Sequence, residues 1–357
     1  MDLNTLSQEA LELLKKLIGT PSVSRDESKA ADIIESHFQF MGYSPVRMGN
    51  NLLCYGHSQL SSRPTLLLNS HIDTVKPAHG WSKDPFSPVI ENGSLFGLGS
   101  NDAGGALVSL IQTFCFLDSE KQPYNILFLA SCQEEISGEG GAKSIVSSLP
   151  PISLAIVGEP TGMRPAIAEK GLMVLDVEVY GKSGHAARDE GINAIYRAVE
   201  IINIIKSYRF KRVSSLLGAV KMTVSVIKAG TQHNVIPDIC ELTIDVRSNE
   251  LYSNREIFDQ VESMLPEWCR IKARSFHLNS SRIDLEHPVI KKAVEMGLTL
   301  YGSPTISDQS LFPFPSFKIG PGESSRSHTA DEFILLTELT EAIPVYIRLL
   351  DKTPIEM

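Results

Sequence analysis

The chain has 357 residues, a formal net charge of −9 and 42% hydrophobic residues. This is ordinary globular composition, long enough for two domains, and it excludes broad disorder. An acidic chain without a basic arm disfavours nucleic acid as a partner, and no apolar stretch approaches the roughly 20 residues that span a bilayer. The five cysteines form no C-x-x-C pair, which predicts buried free thiols in a cytoplasmic protein.

The first predicted elements are helices. The N-terminal stretch "MDLNTLSQEALELLKKL" predicts an amphipathic helix rather than a signal peptide, with helical apolar spacing from Leu6 to Ile18. Ser24 and Glu27 have the spacing of a capping box, which predicts a second helix that runs to Gly42.

Short apolar runs then alternate with helical stretches. The runs are "PTLLLNSHID", "YNILFLASCQEE" and "ISLAIVGEP", and the helical stretch "NDAGGALVSLIQTFCFL" separates the first two. This order predicts an α/β fold with a central, mostly parallel sheet. Each run ends in acidic residues or histidine, and ligands bind beyond the carboxyl ends of strands in such sheets.

The pattern changes from residue 172 onwards. Alternating strands and two helical stretches follow in the order β-α-β-β-α-β, which is the ferredoxin-like pattern. We therefore expect an inserted lid domain at 172–280, and a discontinuous first domain formed by 1–171 and 281–357.

His71 and Asp73 follow the first buried run, two residues apart. Residues i and i+2 of a strand share a face, so the two side chains are expected to lie together. Three interpretations are open: a buried structural pair, a catalytic dyad, or a metal ligand with a carboxylate that orients it.

Other acidic residues and a histidine follow predicted strands in the same way. Taken singly, each has an ordinary explanation, such as a helix cap at Asp102 or surface charge at paired glutamates. Taken jointly, carboxylates at neighbouring strand ends would repel one another unless cations compensate them. Mixed imidazole and carboxylate ligands suit zinc, with cobalt or manganese as alternatives. The set comprises His71, Asp73, Asp102, Glu134, Glu135, Glu159 and His328.

Five motifs follow one another along the chain: "SHIDTV", "GLGSNDAGG", "QEEISGEGG", "VGEPT" and "SHTADEF". With these motifs in this order, the chain resembles the family of acetylornithine deacetylase, succinyl-diaminopimelate desuccinylase, aminoacylase and related carboxypeptidases, and it is most similar to the bacterial acetylornithine deacetylase-like branch. The resemblance implies a zinc-peptidase-like α/β domain with two metal ions, and a lid domain through which the chain forms a homodimer.

The resemblance also implies a role for each polar position. Asp102 would bridge the two ions, Glu134 would be the general base, and Asp73 would orient the ring of His71. Two adjacent strand residues point to opposite faces, so Glu134 and Glu135 can serve one site only if the backbone bends there. The implied metal ligands are His71, Asp102, Glu135, Glu159 and His328.

Three residues of the predicted lid are candidates for substrate contacts. His185, expected near a helix start, would stabilise the oxyanion across the dimer, and the resemblance favours this role over that of an exposed or capping histidine. Asn234 would assist it or simply form a turn. Arg247 would bind the α-carboxylate of the substrate, unless it is an ordinary surface arginine of a sheet.

The leading hypothesis is a metal-dependent amidohydrolase that removes an acetyl or succinyl group from an amino acid. The resemblance favours Nα-acyl-ornithine, or the acyl-citrulline, in arginine biosynthesis. One alternative is a dinuclear zinc exopeptidase that acts on di- or tripeptides. Another is a metal-free amino-acid-binding relative, which the presence of a general base disfavours. Leu98 and Gly104 differ from the arginine and lysine that relatives often carry at these positions.

Overall fold

The computed structural model describes residues 2–356. Contacts within the chain divide it into two compact units. The first unit comprises Met1–Ile167, Arg282–Tyr301 and Ser307–Met357, and the second comprises Ala168–Ser281 and Gly302–Ile306. The role of the second unit as a lid and dimerisation domain stays a prediction.

The helices and strands follow one another in a largely alternating order. The helices are α1 (Leu3–Ile18), α2 (Ser28–Phe40), α3 (Gly105–Ser119), α4 (Lys143–Val146), α5 (Ala194–Ser207), α6 (Asn254–Met264), α7 (Pro288–Glu295) and α8 (Leu336–Leu350). The strands are β1 (Val46–Met48), β2 (Asn51–Tyr55), β3 (Thr65–His71), β4 (Val89–Glu91), β5 (Ser94–Phe96), β6 (Asn125–Ser131), β7 (Leu154–Val157), β8 (Ala166–Glu169), β9 (Gly171–Tyr180), β10 (Gly184–His185), β11 (Lys221–Ala229), β12 (Val235–Ile236), β13 (Ile239–Ser248), β14 (Cys269–Ala273), β15 (Ser281–Arg282), β16 (Tyr301–Ser303), β17 (Ser316–Lys318) and β18 (Phe333–Leu335).

The first unit is built on a mixed sheet. Its strands β1, β2, β6, β3, β7 and β17 lie side by side in this order. β3 pairs in parallel with β6 and β7, and β17 pairs in parallel with β7. β1 and β2 extend one edge through antiparallel pairing. Every residue of β3 and β6 is buried, as expected for parallel strands with both faces covered. This confirms the predicted α/β fold with a mostly parallel sheet.

Helix α3 packs between the sheet and two other helices. It contacts α1 and α8 as well as β3 and β6, and most of its residues are buried. A helix in this position is apolar nearly all round, which is why its sequence shows no polar stripe. Its first residue, Gly105, follows the irregular turn Ser100–Gly104, which includes a cis peptide bond between Asp102 and Ala103.

The N-terminal helix is confirmed, but the predicted capping box is wrong. Helix α2 begins at Ser28 after Glu27, and Glu27 makes no side-chain capping bond to it. The hydroxyl of Ser24 instead donates a hydrogen bond to Asp73 Oδ2 at 2.6 Å. A tertiary partner 49 residues away therefore takes the hydroxyl that the local pattern assigned to a helix cap.

The second unit has the predicted β-α-β-β-α-β order. Its antiparallel sheet has the strand order β11-β13-β9-β14, which is the ferredoxin-like arrangement. Buried residues alternate with less buried ones along β9 and β13, because one sheet face packs on α5 and α6. The short pair β10 and β12 is an addition that the sequence pattern did not predict.

The structure contains the free thiols that the sequence predicted. Cys54, Cys115, Cys132 and Cys240 are buried, and Cys269 is half-buried. Among residues 2–356, none of the helices combines the length and the apolar character that crossing a membrane requires.

Candidate metal centre

Three adjacent strands of the first unit end at one edge of the sheet. β3 ends at His71, which is paired in register with Ser131, the last residue of β6. Glu134 follows β6 by three residues, and Glu159 follows the end of β7 by two. Since these strands are parallel and adjacent, their polar continuations lie together beyond the carboxyl edge of the sheet.

Two histidines and three carboxylates form the centre of this cluster. His71 Nε2 lies 3.3 Å from Asp102 Oδ1 and 3.9 Å from Glu159 Oε1. His328 Nε2 lies 2.9 Å from Glu135 Oε2 and 3.6 Å from Asp102 Oδ2. Each oxygen of Asp102 thus faces a different histidine, which divides the cluster into two halves that share one carboxylate.

The donor set fits divalent cations. His71 Nδ1 lies 2.9 Å from the carbonyl oxygen of Asp73, and a carbonyl can only accept, so this nitrogen carries the hydrogen. Nε2 is then the nitrogen that can offer a lone pair to a cation. Glu159 Oε1 is buried and has no hydrogen-bond partner among residues 2–356. One ligand atom each from His71, Asp102 and Glu135 lie within 4.8 Å of one another.

The electrostatics of the cluster show a deficit of positive charge. Burial, followed by the charge of Asp102, raises the pKa of Glu159 to about 8. The hydrogen bond to Glu135 raises the pKa of His328 to about 9. Burial alone would lower the pKa of His71, but the carboxylates of Asp102 and Asp73 outweigh it and raise the pKa well above its ordinary value. Protons are thus held where cations would otherwise neutralise the carboxylates.

Glu134 and Glu135 reach the same cluster because the backbone bends after β6. Gln133 has a left-handed φ of 57°, and Glu134–Ile136 form one turn of 3-10 helix. The side chain of Gln133 fills the space over Gly138, where an added Cβ would overlap it. The structure therefore has the bend without which Glu134 and Glu135 could not share a site, and Gly138 leaves room for the side chain of Gln133 in it.

Asp73 has two separate sets of contacts. Its carboxylate lies 3.6 Å from His71 Nδ1, farther than the carbonyl oxygen that holds the ring. The carboxylate accepts the backbone N–H groups of Glu134 at 3.0 Å and Glu135 at 3.2 Å, in addition to the Ser24 hydroxyl. Asp73 thus contacts the ring through its backbone and fixes the glutamate turn through its side chain.

Burial strongly perturbs Glu134. Burial raises the pKa of its carboxyl group well above the ordinary value, and the negative charge of Glu159 adds to the shift, while His71 opposes it. A carboxyl group whose pKa is raised by burial, beside other carboxylates, is a candidate for a group that exchanges protons.

Two buried carboxylates near the centre were missed by the sequence analysis. Glu332 accepts backbone N–H groups of the turn that carries Asp102. Asp308 accepts a hydrogen bond from the hydroxyl of Ser131 at 2.5 Å. The position of Glu332, four residues after His328 in the same motif, was the available signal. Asp308 had none, since its burial depends on the fold.

The three predicted substrate contacts lie in the second unit. His185 is exposed and belongs to β10 rather than to a helix start, because Gly184 and His185 pair with β12. Asn234 lies beside His185, because the carbonyl oxygen of Asn234 accepts the N–H of Ala186 at 3.0 Å. Arg247 lies on β13, where its guanidinium donates to both carboxylate oxygens of Asp245 at 2.9 and 3.1 Å.

Comparison with known proteins decides the family. The model of peptidase family M20/M25/M40 matches residues 67–352, which include every residue of the metal cluster. The chain belongs to this family. The family resemblance that the motifs carried is thereby confirmed, as is the prediction of a metal-dependent hydrolase that acts on amides.

Relatives and solved structures resemble the chain over nearly its full length. Acetylornithine deacetylase of Proteus mirabilis (strain HI4320) is 28% identical over 356 residues, covering 91% of this chain and 91% of the relative. Aminopeptidase PepT of Bacillus cereus ATCC 10987 superposes with a TM-score of 0.79 at 18% identity, covering 97% of this chain and 98% of that chain. The YXEP protein of Bacillus subtilis, described as a dinuclear metal binding peptidase, has a TM-score of 0.75 at 16% identity and 98% coverage of both chains. The two structures establish the M20 fold.

Proposed function

We propose that this M20-family hydrolase removes an acetyl or succinyl group from the α-nitrogen of ornithine or citrulline, as a step of arginine biosynthesis. The observation that carries the metal-dependent chemistry is the position of Asp102, with one oxygen toward each of two histidines. The choice of an acylated amino acid is supported by the relatives named acetylornithine deacetylase, which match most of the chain.

The residues of the cluster divide into two sets of ligands. His71 and Glu159 would hold one ion, His328 and Glu135 would hold the other, and Asp102 would contact both. Two zinc ions bound there, with cobalt or manganese as substitutes, would polarise the acyl carbonyl and lower the pKa of the attacking water. All five ligand side chains belong to the first unit.

Glu134 would carry the proton. Its carboxylate accepts a proton from the attacking water, and the carboxylic acid then donates it to the nitrogen of the leaving amino acid. The turn that Asp73 holds keeps Glu134 beside the ligands rather than on the opposite face of a strand. Both proton transfers can then use the same side chain, because burial raises the pKa of Glu134 and so favours the protonated form that donates to the leaving nitrogen.

Residues of the second unit would bind the substrate. His185 would donate a hydrogen bond to the developing oxyanion, across a homodimer, and Asn234 beside it would assist. Arg247 would bind the α-carboxylate. The guanidinium has five N–H donors, and its two hydrogen bonds to Asp245 leave the others for a substrate. These two bonds also fix the plane in which the substrate carboxylate must approach.

A substrate panel tests this proposal. Purified protein loaded with zinc is assayed on acetylornithine, succinylornithine, acetylcitrulline and a set of di- and tripeptides, with the metal content determined on the same sample. The proposal predicts that kcat/KM for one of the acylated amino acids exceeds that for every peptide by orders of magnitude. If peptides win by that margin, the chain is an exopeptidase. If zinc-loaded protein hydrolyses no amide, it is a binding protein.

A further inference from the structure

Glu332 is a buried carboxylate that the proposed reaction does not use. It is 2% exposed and lies in the segment that carries His328. Its Oε1 accepts the backbone N–H groups of Asn101 at 2.8 Å and Asp102 at 3.0 Å. Its own carbonyl oxygen accepts the N–H of Gly97 at 3.0 Å. One residue thus holds the turn 97–102 at both of its ends.

Asn101 links the same turn to Glu323, at the start of the segment that carries His328. It is fully buried, its Oδ1 accepts the N–H of Glu323 at 3.0 Å, and its Nδ2 donates to the carbonyl oxygen of Glu323 at 3.1 Å. An added Cβ at Gly322, which has a φ of 84°, would overlap Asn101 Oδ1. The start of the 323–332 segment is therefore fixed on Asn101, and its end is fixed by Glu332.

We propose that Asn101 and Glu332 form a clamp that sets the position of Asp102 relative to His328. The clamp thereby determines how tightly the protein binds the metal ion at His328 and Glu135. Both are positioning residues, since neither side chain faces a histidine of the cluster within hydrogen-bond distance. The inference rests on the proposed function, because it assumes that the cluster holds two ions.

The clamp matters because Asp102 must serve two histidines at once. Its Oδ2 is 3.6 Å from His328, and its Oδ1 is 3.3 Å from His71, so a rotation that favours one half weakens the other. The side chain of His328 is 54% exposed, so it has fewer packing contacts than the buried His71, and the position of Asp102 contributes more to its half of the cluster. Residues that orient ligands in this indirect way typically change metal affinity by about 10–100-fold when they are replaced.

The test measures metal affinity rather than activity. Metal-free protein is titrated with zinc against a chromophoric chelator, and the dissociation constants of both ions are determined for the wild type, Glu332→Ala, Glu332→Gln and Asn101→Ala. The matched control is Asp331→Ala, because Asp331 is the adjacent carboxylate and accepts hydrogen bonds from Ser82, outside the ligand turn. Thermal unfolding of each metal-free variant reports folding separately.

We expect the wild-type chain to bind two zinc ions. The affinity for the more weakly bound ion should fall about 10–100-fold in Glu332→Ala and Asn101→Ala. Glu332→Gln, which keeps one acceptor oxygen, should bind more tightly than Glu332→Ala, and Asp331→Ala should match the wild type. If Glu332→Ala does not fold, Asn101→Ala and Glu332→Gln decide the question. The clamp proposal fails if zinc affinity is unchanged in the clamp variants, or if Asp331→Ala loses as much affinity as they do. Either result leaves the proposed function standing. A wild type that binds fewer than two ions overturns the proposed function as well.

Discussion

At the scale of single residues, Asp73 shows how the backbone and the side chain of one residue can serve two halves of a site. Its carbonyl oxygen holds the His71 ring at 2.9 Å, and its carboxylate accepts the N–H groups of Glu134 and Glu135. The sequence spacing alone suggested only the contact with the ring. The proposed ligands His71 and Glu135 and the proposed base Glu134 are thereby connected through one residue, by its backbone carbonyl on one side and its carboxylate on the other.

Replacing the proposed base should separate chemistry from metal binding. Glu134→Gln keeps the shape of the side chain but cannot accept a proton, so kcat should fall by about 10²–10⁴-fold. Zinc content should stay at the wild-type value, because Glu134 is not among the proposed ligands. Steady-state rates and elemental analysis on one preparation check this result. A variant that turns over at wild-type speed would show that another group takes the proton.

Replacing Asp73 should affect metal binding as well as rate. Asp73→Ala removes the acceptor that holds the Glu134–Glu135 turn but keeps the backbone carbonyl that orients His71. We expect zinc affinity to fall by about 10–100-fold, and more strongly for the ion at Glu135 and His328. Asp73→Asn, which keeps one acceptor oxygen, serves as the matched variant and should lose less. Zinc titration against a chelator measures both, and equal affinities in all three proteins would contradict the assignment.

At the scale of elements, the turn before α3 explains why residue 104 is a glycine. The N–H of Gly104 donates to the carbonyl oxygen of Gly99 at 2.9 Å, and an added Cβ at Gly104 would overlap that same oxygen. The turn that presents Asp102 thus closes too tightly here for a side chain at position 104. Glycine at this position is a requirement of the local backbone rather than a random difference.

This requirement predicts the effect of adding one methyl group. Gly104→Ala should lower the free energy of unfolding by about 1–3 kcal/mol and weaken zinc binding, because the turn must shift to accept the Cβ. Gly19→Ala is the control, since its added Cβ would meet its nearest neighbour, the carbonyl oxygen of Lys15, at an ordinary 3.4 Å. Denaturant unfolding and zinc titration measure the two effects. The account of this turn fails if Gly104→Ala behaves like the control.

Much of the architecture could be predicted from the sequence because apolar periodicity reports burial directly. The runs that became β3, β6 and β7 were recognisable as buried strands, and the ordered motifs at their ends indicated the polar cluster. The capping box at Ser24 failed because a hydroxyl can bind a distant carboxylate as well as a nearby N–H. The part played by Asp308 could not be found, because it depends on a contact between segments far apart in the chain, and for Glu332 its place in the motif of His328 was the available signal.

At the scale of the whole molecule, the cluster should make the stability of the metal-free protein depend on pH. The folded-state pKa of Glu159 is raised to about 8 from 4.5, so the folded state binds more protons than the unfolded state between these values. Stability therefore falls as the pH rises through this window. The raised pKa of His328, about 9 against 6.5, acts in the same direction, since its contribution is complete below pH 6.5 and is lost through pH 9.

We therefore expect the Tm of metal-free protein to fall between about pH 5 and pH 9, and the rise in Tm on adding zinc to be larger at the upper end. Bound cations replace the protons, so the metal-loaded protein should lose less stability over the same range. Thermal unfolding of both forms at matched ionic strength checks this. A metal-free Tm that rises with pH would show that the imidazoles and carboxylates of the cluster are arranged differently in solution.

The claim on which the rest depends is that Asp102 is shared by two cations. The most direct measurement is anomalous diffraction at the zinc edge from crystals grown with excess zinc. The account predicts two peaks, one among His71, Asp102 and Glu159 and the other among His328, Asp102 and Glu135. A single peak, peaks elsewhere in the molecule, or no peak beside Asp102 would contradict it.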